Sequence, residues 1–395
     1  MSRAYDLVLF GATGFTGQLV ARYIAASRDK PRWAIAGRNR AKLEALGLGV
    51  PVLVADAQDP ASLADLAGQT KVVCTTVGPY AKYGSALVAA CAEAGTHYCD
   101  LCGEVQWMRR MIDAHHERAK ETGARIVHTC GFDSIPSDLG TWALQRDFHA
   151  VYGTYANKVT ALFGESSGAA SGGTIASGIE TAREAAADRA VRKVLANPYG
   201  LDPDPSAARP AAPDETSIGW NKDLKMFTVP FLMAGINTRV VRRAHALEGF
   251  PWGDNFVYRE VMSTKGSAAG LAMVVGVTAF LGGVAVALKH PKLREIIAKR
   301  APQPGDGPTE EKRERGHWKV RLVGENGDDK LVYIAADAHG DPGYQSTAKM
   351  LGESALCLAR DPLTSAGGVQ TPSVAMGGHL LDRLRAAGLT FEPRK

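Results

Sequence analysis

Short apolar runs alternate with amphipathic stretches through the first 130 positions of the chain. Residues 5–10, 32–36, 50–55, 71–77, 96–101 and 125–129 read as strands. Residues 18–27, 41–46, 61–66, 85–94 and 105–121 repeat apolar positions at helical spacing. Strands separated by single helices imply βαβ units with right-handed crossovers, and therefore a parallel sheet covered on both faces. The runs are continuous rather than alternating, as strands buried on both sides require. The pattern predicts an α/β protein that opens with a doubly wound parallel (Rossmann) sheet.

From about residue 157 the texture changes. Residues 158–163 read as a strand, 173–195 as one long helix, and 197–215, with five prolines, as an exposed loop. Residues 318–323 and 330–335 alternate around Asn326-Gly327, a hairpin signal because both turn residues tolerate positive φ. Residues 302–316 read as a polar loop, and 345–360 and 377–387 as helices. This half predicts a second, α+β domain with a mostly antiparallel sheet. The expected division is a dinucleotide-binding domain over 1–140 and a substrate domain over 141–344, with 345–395 packing back on the first.

Composition narrows the class. Glycine supplies 43 of 395 residues, more than the usual ~7%, without the Gly-X-Y period of collagen. The net charge is +5 and no basic stripe interleaves with aromatics, so no nucleic-acid partner is expected. Six cysteines sit in mostly apolar runs with no secretory signal before them, which predicts reduced thiols in the cytoplasm. Cys99 and Cys102 form a lone C-x-x-C pair without a second pair or a nearby His at ligand spacing, and no metal site is expected.

The glycines concentrate in Gly11-Ala12-Thr13-Gly14-Phe15-Thr16-Gly17, between the first strand and the first helix. A G-x-x-G-x-x-G turn there tightens the chain, lets backbone approach a pyrophosphate and allows close helix–strand packing. The helix N-terminus that follows offers free N–H groups and a positive dipole end. A dinucleotide is the ligand such a turn predicts. An NAD-selective site places an acid about 20 residues on; here Ala36-Gly37-Arg38-Asn39 stands in that place. Arg38 can bind a 2′-phosphate bidentately, so NADP(H) is the expected cofactor. Asp56, ending the third strand, would touch the adenine amine or simply shape a turn. Val77-Gly78-Pro79, after the fourth strand, would line the ribose and nicotinamide.

Candidates for proton chemistry lie at the same sheet edge. Asp100 and Glu104 end the fifth strand, while Asp133 and Ser134 follow the sixth. A carboxyl whose pKa is raised by burial serves as general acid; Asp133, Ser134 and Ser137 also suit a helix N-cap. Asp133 and Tyr80 are the catalytic candidates, Tyr80 as proton donor or as packing against the cofactor. No tyrosine has a lysine four residues later, which disfavours the short-chain dehydrogenases.

These motifs resemble the saccharopine-dehydrogenase-type NADP-binding family. The resemblance rests on Gly11 to Gly17, Ala36-Gly37-Arg38, Val77-Gly78-Pro79-Tyr80, residues 98–104, residues 131–138, Gly172-Gly173-Thr174 and residues 340–344, and so covers most of the chain. Within the family it is most similar to the saccharopine-dehydrogenase-like oxidoreductases that include the actinobacterial trans-acting enoyl reductases. The resemblance implies NADPH-dependent reduction of a carbon–carbon double bond in a lipid or polyketide-derived intermediate. True saccharopine reductases differ around Asp133 and must recognise several substrate carboxylates; Arg239, Arg242 and Arg243 are the obvious cations for that task. A saccharopine-type amino-acid dehydrogenase and a non-catalytic, membrane-associated NADP-binding protein are the alternative readings.

One segment bears on partners. Residues 266–288 are 23 uncharged positions with five glycines, flanked by Lys265, Lys289, Lys292 and Arg294. About 20 apolar residues suffice to span a bilayer, and basic flanks also suit a helix lying on a membrane. Spanning, surface-lying and core-helix readings all stand. The expected partners are a hydrophobic or acyl-lipid substrate, the inner face of the cell membrane through 266–288, and a second copy of the chain.

Overall fold

A computed structural model describes residues 3–167, 171–215, 217–221, 225–300 and 307–394. The first unit alternates β1 (Tyr5–Phe10), α1 (Phe15–Ala26), β2 (Trp33–Gly37), α2 (Arg40–Glu44), β3 (Val52–Val54) and α3 (Pro60–Gln69). It continues through β4 (Thr70–Thr75), α4 (Tyr80–Tyr83), α5 (Ser85–Ala94), β5 (His97–Cys99), α6 (Val105–Thr122) and β6 (Arg125–Val127). Then come α7 (Ile135–Tyr152), β7 (Lys158–Ser166), α8 (Gly172–Ala187), α9 (Arg189–Ala196), β8 (Gly219–Asn221), β9 (Met226–Pro230) and α10 (Ala234–Leu247). After β10 (Val257–Lys265) stand α11 (Ala268–Lys289), α12 (Pro291–Arg300), α13 (Glu310–Glu314) and the hairpin of β11 (Trp318–Asn326) and β12 (Asp329–Asp337). A π-helical turn (Pro342–Ser346), α14 (Thr347–Arg360), β13 (Gly368–Gln370), α15 (Pro372–Ala386) and β14 (Thr390–Pro393) close the chain.

The first sheet runs β13-β6-β5-β4-β1-β2-β3, every pair parallel. Its strand β1 explains why both faces are covered. Leu7 and Leu9 join the core that α1 and α14 share, whereas Val8 and Phe10 join the core of α3, α5 and α6. The second sheet runs β14-β12-β11-β7-β10-β9-β8, antiparallel except for the parallel pair β7 and β10. Helix α7 links the two sheets, and its Leu139, Leu144 and Phe148 share one core with Val159, Leu322 and Tyr333 of the second sheet. The C-terminal segment divides between them: β13 extends the first sheet beside β6, and β14 extends the second beside β12.

Several local expectations are corrected. The helix expected over 173–195 is two helices, because Asp188 leaves helical φ/ψ and its side chain accepts from Ala190 N to start α9. The hairpin turn sits one residue later than Asn326-Gly327. Asn326 still pairs with Asp329, so Gly327 and Asp328 turn the chain and Gly327 carries φ +59°. Of the polar stretch at 302–316, positions 302–306 lie outside the described residues, and the rest holds α13. Among the described residues no helix is long and apolar enough to cross a membrane. The core-helix reading of 266–288 fails too, since Met273 and Phe280 on α11 stay 56% and 69% exposed.

Candidate cofactor and active site

The carboxyl ends of β1, β4, β5 and β6 share one edge of the sheet, with β1 beside β4 at the point where strand order reverses, which is where such sheets bind ligands. Gly11 leaves β1 at φ +95°, a conformation that strains any L side chain, and a Cβ there would sit 2.7 Å from Val77 Cγ2. A Cβ on Gly17 would strike the Gly11 carbonyl oxygen. Gly14 N donates to that oxygen at 3.1 Å and Thr76 Oγ1 donates to it at 3.2 Å, which locks the turn to the end of β4. No side chain caps α1, so its first N–H groups and positive dipole end face the turn. Backbone donors, a bare surface and a helix end together fit a diphosphate. Ala12 is buried beneath the turn and Thr13 is exposed on it.

At the second strand, Gly37 ends β2 and Arg38 stands exposed, with no hydrogen bond or ion pair among the described residues. The Asn39 side chain accepts from Lys42 N and caps α2, and Arg38 stands at the expected 2′-phosphate position. Asp56 Oδ1 accepts from Gln58 N, so this carboxylate shapes a turn with one oxygen.

The segment 76–80 is anchored from below. Glu104 accepts from Tyr80 N and Ala81 N, each at 2.8 Å, and from Ser177 Oγ at 2.7 Å. It thereby holds the start of α4 and ties it to α8. Burial pushes its pKa up, against those three hydrogen bonds. Asp100, fully buried, accepts from Tyr98 OH, Cys102 N and Thr129 N and lies 2.8 Å from His128 Nδ1. Both acids are consumed by structure. Tyr80 is buried as well; its hydroxyl accepts from Leu101 N at 3.1 Å and points to Thr75 O at 3.4 Å. Burial raises the phenol further. The geometry gives Tyr80 a packing role under Val77-Gly78-Pro79 rather than a donor position.

The end of β6 differs. Ser134 occupies the N-cap of α7 without a capping side-chain bond, which corrects the capping reading. Its Oγ instead donates to Asn237 Oδ1 at 2.8 Å, and Ser137 Oγ donates to Glu260 Oε1 at 2.8 Å. Asn237 Nδ2 donates to the same Glu260 oxygen at 3.0 Å. Glu260 Oε2 is buried without a partner. Burial lifts Glu260 to about 8, with the Asp133 charge adding and the two hydrogen bonds opposing. Asp133 itself is half-buried, without a capping bond, and burial pushes it up to about 6. Glu260 was not singled out from sequence. The signal available was an acid at an inward-facing position of the strand that also buries Tyr258.

Aromatic side chains from the second sheet roof this end. Phe132 packs edge-on against Phe163 and Trp318, and Phe163 stacks on Phe231 at 4.2 Å. Met233 and Ile236 approach Gly103. Over the glycine turn, Phe15 meets Tyr344 edge-on at 4.8 Å, and Arg313 lies 5.4 Å from its ring centroid. Tyr344 OH in turn accepts from Gly172 N at 3.4 Å, which brings the late glycine motif beside the first one. The three candidate carboxylate-binding arginines are buried and engaged elsewhere. Arg239 pairs with Asp214 and Leu195 O; Arg242 donates to Pro198 O, Ala212 O and Tyr258 O; Arg243 donates to Leu201 O and Val369 O. They staple the 197–215 loop.

Cys99 and Cys102 are free and buried, and among the described residues no three His, Cys, Asp or Glu side chains gather to hold a metal.

A parallel sheet with this glycine cradle is a dinucleotide-binding architecture, and the similarities that follow make the chain an NADP-dependent oxidoreductase. The sequence profile of the saccharopine dehydrogenase NADP-binding domain matches residues 7–127. The fold is similar to apo saccharopine dehydrogenase (L-Glu forming) from Saccharomyces cerevisiae, with a TM-score of 0.55 at 13% identity over 98% of this chain and 99% of that one. A provisionally named trans-acting enoyl reductase of Mycobacterium tuberculosis is 43% identical over 99% of this chain and 97% of its own length. The trans-acting enoyl reductase of Mycobacterium ulcerans is 40% identical over 98% and 97% respectively. The chain belongs to the saccharopine-dehydrogenase-type NADP-binding family, in the branch that holds these mycobacterial relatives, and NADP(H) is its cofactor.

Proposed function

We propose that the chain is an enoyl reductase that saturates a carbon–carbon double bond in an acyl-lipid or polyketide-derived intermediate. The observation that carries this reading is the engagement of Arg239, Arg242 and Arg243 with backbone carbonyls and Asp214, which withholds these three from an amino-acid substrate's carboxylates. The aromatic roof of Phe132, Phe163 and Phe231 supports an apolar substrate instead. The names of the relatives point to the same reaction.

NADPH when bound supplies the hydride; the chain must bind it, orient it and provide a proton. Gly11, Gly14 and Gly17 with the N–H groups of Phe15 and Thr16 would receive the diphosphate. Gly37, Arg38 and Asn39 would hold the 2′-phosphate, Asp56 the adenine, and Val77, Gly78 and Pro79 the nicotinamide side. Asp133 is the proton donor, because its carboxyl is held up to about 6 by burial and is not bound into a cap. Tyr80, at the start of α4, would support the floor of the nicotinamide side, its hydroxyl held by Leu101 N. Asp133 would deliver the proton to the double bond that the bound cofactor reduces, and solvent would reprotonate its carboxylate.

NADPH consumption tested with a long-chain trans-2-enoyl thioester and, separately, with a 2-oxo acid plus an amino acid separates the readings. Turnover with the thioester alone is expected; turnover with the amino-acid pair alone would overturn the proposal.

A further inference from the structure

Helix α11 is apolar on every side, yet many of its described side chains are exposed. Leu271, Met273, Val275, Phe280 and Val286 on it are each more than two-fifths exposed, and Ile296 on α12 continues the surface. Its first turn is fixed: Ser267 Oγ accepts from Gly270 N at 3.2 Å, and Gly270 packs against the Lys265 carbonyl with no room for a Cβ. Val274 is fully buried one turn on. Contacts with β9, β10 and α8 hold one side of the helix against the protein, and α12 packs on it too; the apolar side chains named above stay exposed. An apolar surface of this extent on a folded protein marks an interaction site.

Charge selects the occupant. From Val261 to Arg294 the chain carries no Asp or Glu, while Lys265, Lys289, Lys292 and Arg294 bracket the apolar run. Lys265 and Lys292 are exposed. In a two-fold dimer this patch would meet its own copy, and basic flanks would face basic flanks. A bilayer carrying anionic head groups matches both features at once: acyl chains for the helix and negative charge for the lysines. The polar half that an isolated interfacial helix needs is supplied here by the body of the protein.

We propose that α11 and the start of α12 form a monotopic docking face for an anionic phospholipid bilayer, with α11 lying in the interface. This holds whatever the reductase acts on, so it stands or falls separately from the enoyl reading.

The test is flotation of the full chain, loaded with NADPH, with phosphatidylcholine vesicles that do or do not contain phosphatidylglycerol. The wild type is expected to float with the anionic vesicles, with about tenfold weaker partition onto neutral ones and release at high salt. The double variant Met273→Glu, Phe280→Glu should stay behind while binding NADPH as the wild type does. Lys265→Glu, Lys292→Glu should lose the preference for phosphatidylglycerol. Failure of the wild type to float would overturn the proposal. So would a concentration-dependent dimer that Met273→Glu, Phe280→Glu abolishes, since the occupant would then be a second copy. Equal partition onto both vesicle types would overturn the anionic requirement.

Discussion

The charged groups around the crevice separate into two regions. At the ends of β4 and β5, Asp100 and Glu104 are saturated by hydrogen bonds from backbone and neighbouring side chains. At the end of β6, Asp133 makes no capping bond and Glu260 keeps one buried oxygen unpartnered. The cations divide the same way: Arg239, Arg242 and Arg243 are spent on backbone carbonyls and Asp214, whereas Arg38 is exposed with no partner among the described residues. Proximity to the sheet edge therefore does not identify chemistry. A saturated charge fixes the shape of the crevice, and an unsaturated one is available to a ligand.

Breaking the saturated region should have the largest consequence. Asp100→Ala removes the acceptor for four buried groups at ~1–3 kcal/mol each. A loss of at least about 4 kcal/mol in thermal or denaturant unfolding, or failure to fold, is expected; a near-normal unfolding midpoint would mean that the network is not structural. In the unsaturated region Asp133→Asn should do the reverse. Turnover should fall by about 100-fold or more, as for loss of a general acid, while the unfolding midpoint holds or rises.

Glu260 gives a pH test of the same contrast. Its folded pKa of about 8 and that of Asp133, about 6, lie above the ordinary values of 4.5 and 3.8. A raised carboxyl binds its proton more tightly when folded. Its stabilising contribution is thus present below the ordinary value and is lost as pH rises through the folded one. Wild-type stability should decline from near pH 5 towards pH 8, and Glu260→Gln should remove about 2 kcal/mol of the decline between pH 5 and 7. Parallel pH curves for the two proteins would place Glu260 outside the titrating set. The smallest effect expected is at Arg38. Arg38→Ala should raise KM for NADPH about tenfold, the value of one charge-assisted contact, and leave KM for NADH unchanged; equal effects on both cofactors would remove Arg38 from the 2′-phosphate site.

The first sheet was legible because each of its strands is a continuous apolar run and each crossover a single helix, as in 5–10 followed by 18–27. Boundaries shifted where one residue's backbone decided them. β6 ends at Val127, two residues before Thr129 adopts φ +64°, and the expected long helix stops at Asp188, which caps the next. β13, three residues at the far end of the chain, carries no periodicity to read. The glycine turn was legible because its requirement is local: only glycine fits at Gly11 and Gly17. The roles of the acids were not. Asp100 and Asp133 look alike in sequence, and their difference depends on which backbone donors and which strand of the second sheet come to meet them. Glu260 gains its meaning from the pairing that places β10 beside β7, a contact between residues about 100 positions apart.

The central claim is tested most directly by product analysis of a single turnover, with NADPH deuterated at the transferable position and a long-chain trans-2-enoyl thioester. A saturated acyl product with one deuterium at the β-carbon and one solvent-derived hydrogen at the α-carbon is expected, formed much more slowly by Asp133→Asn. Unreacted thioester beside bound, unoxidised NADPH, with deuterium transferred instead to an imine formed from a 2-oxo acid and an amino acid, would contradict it.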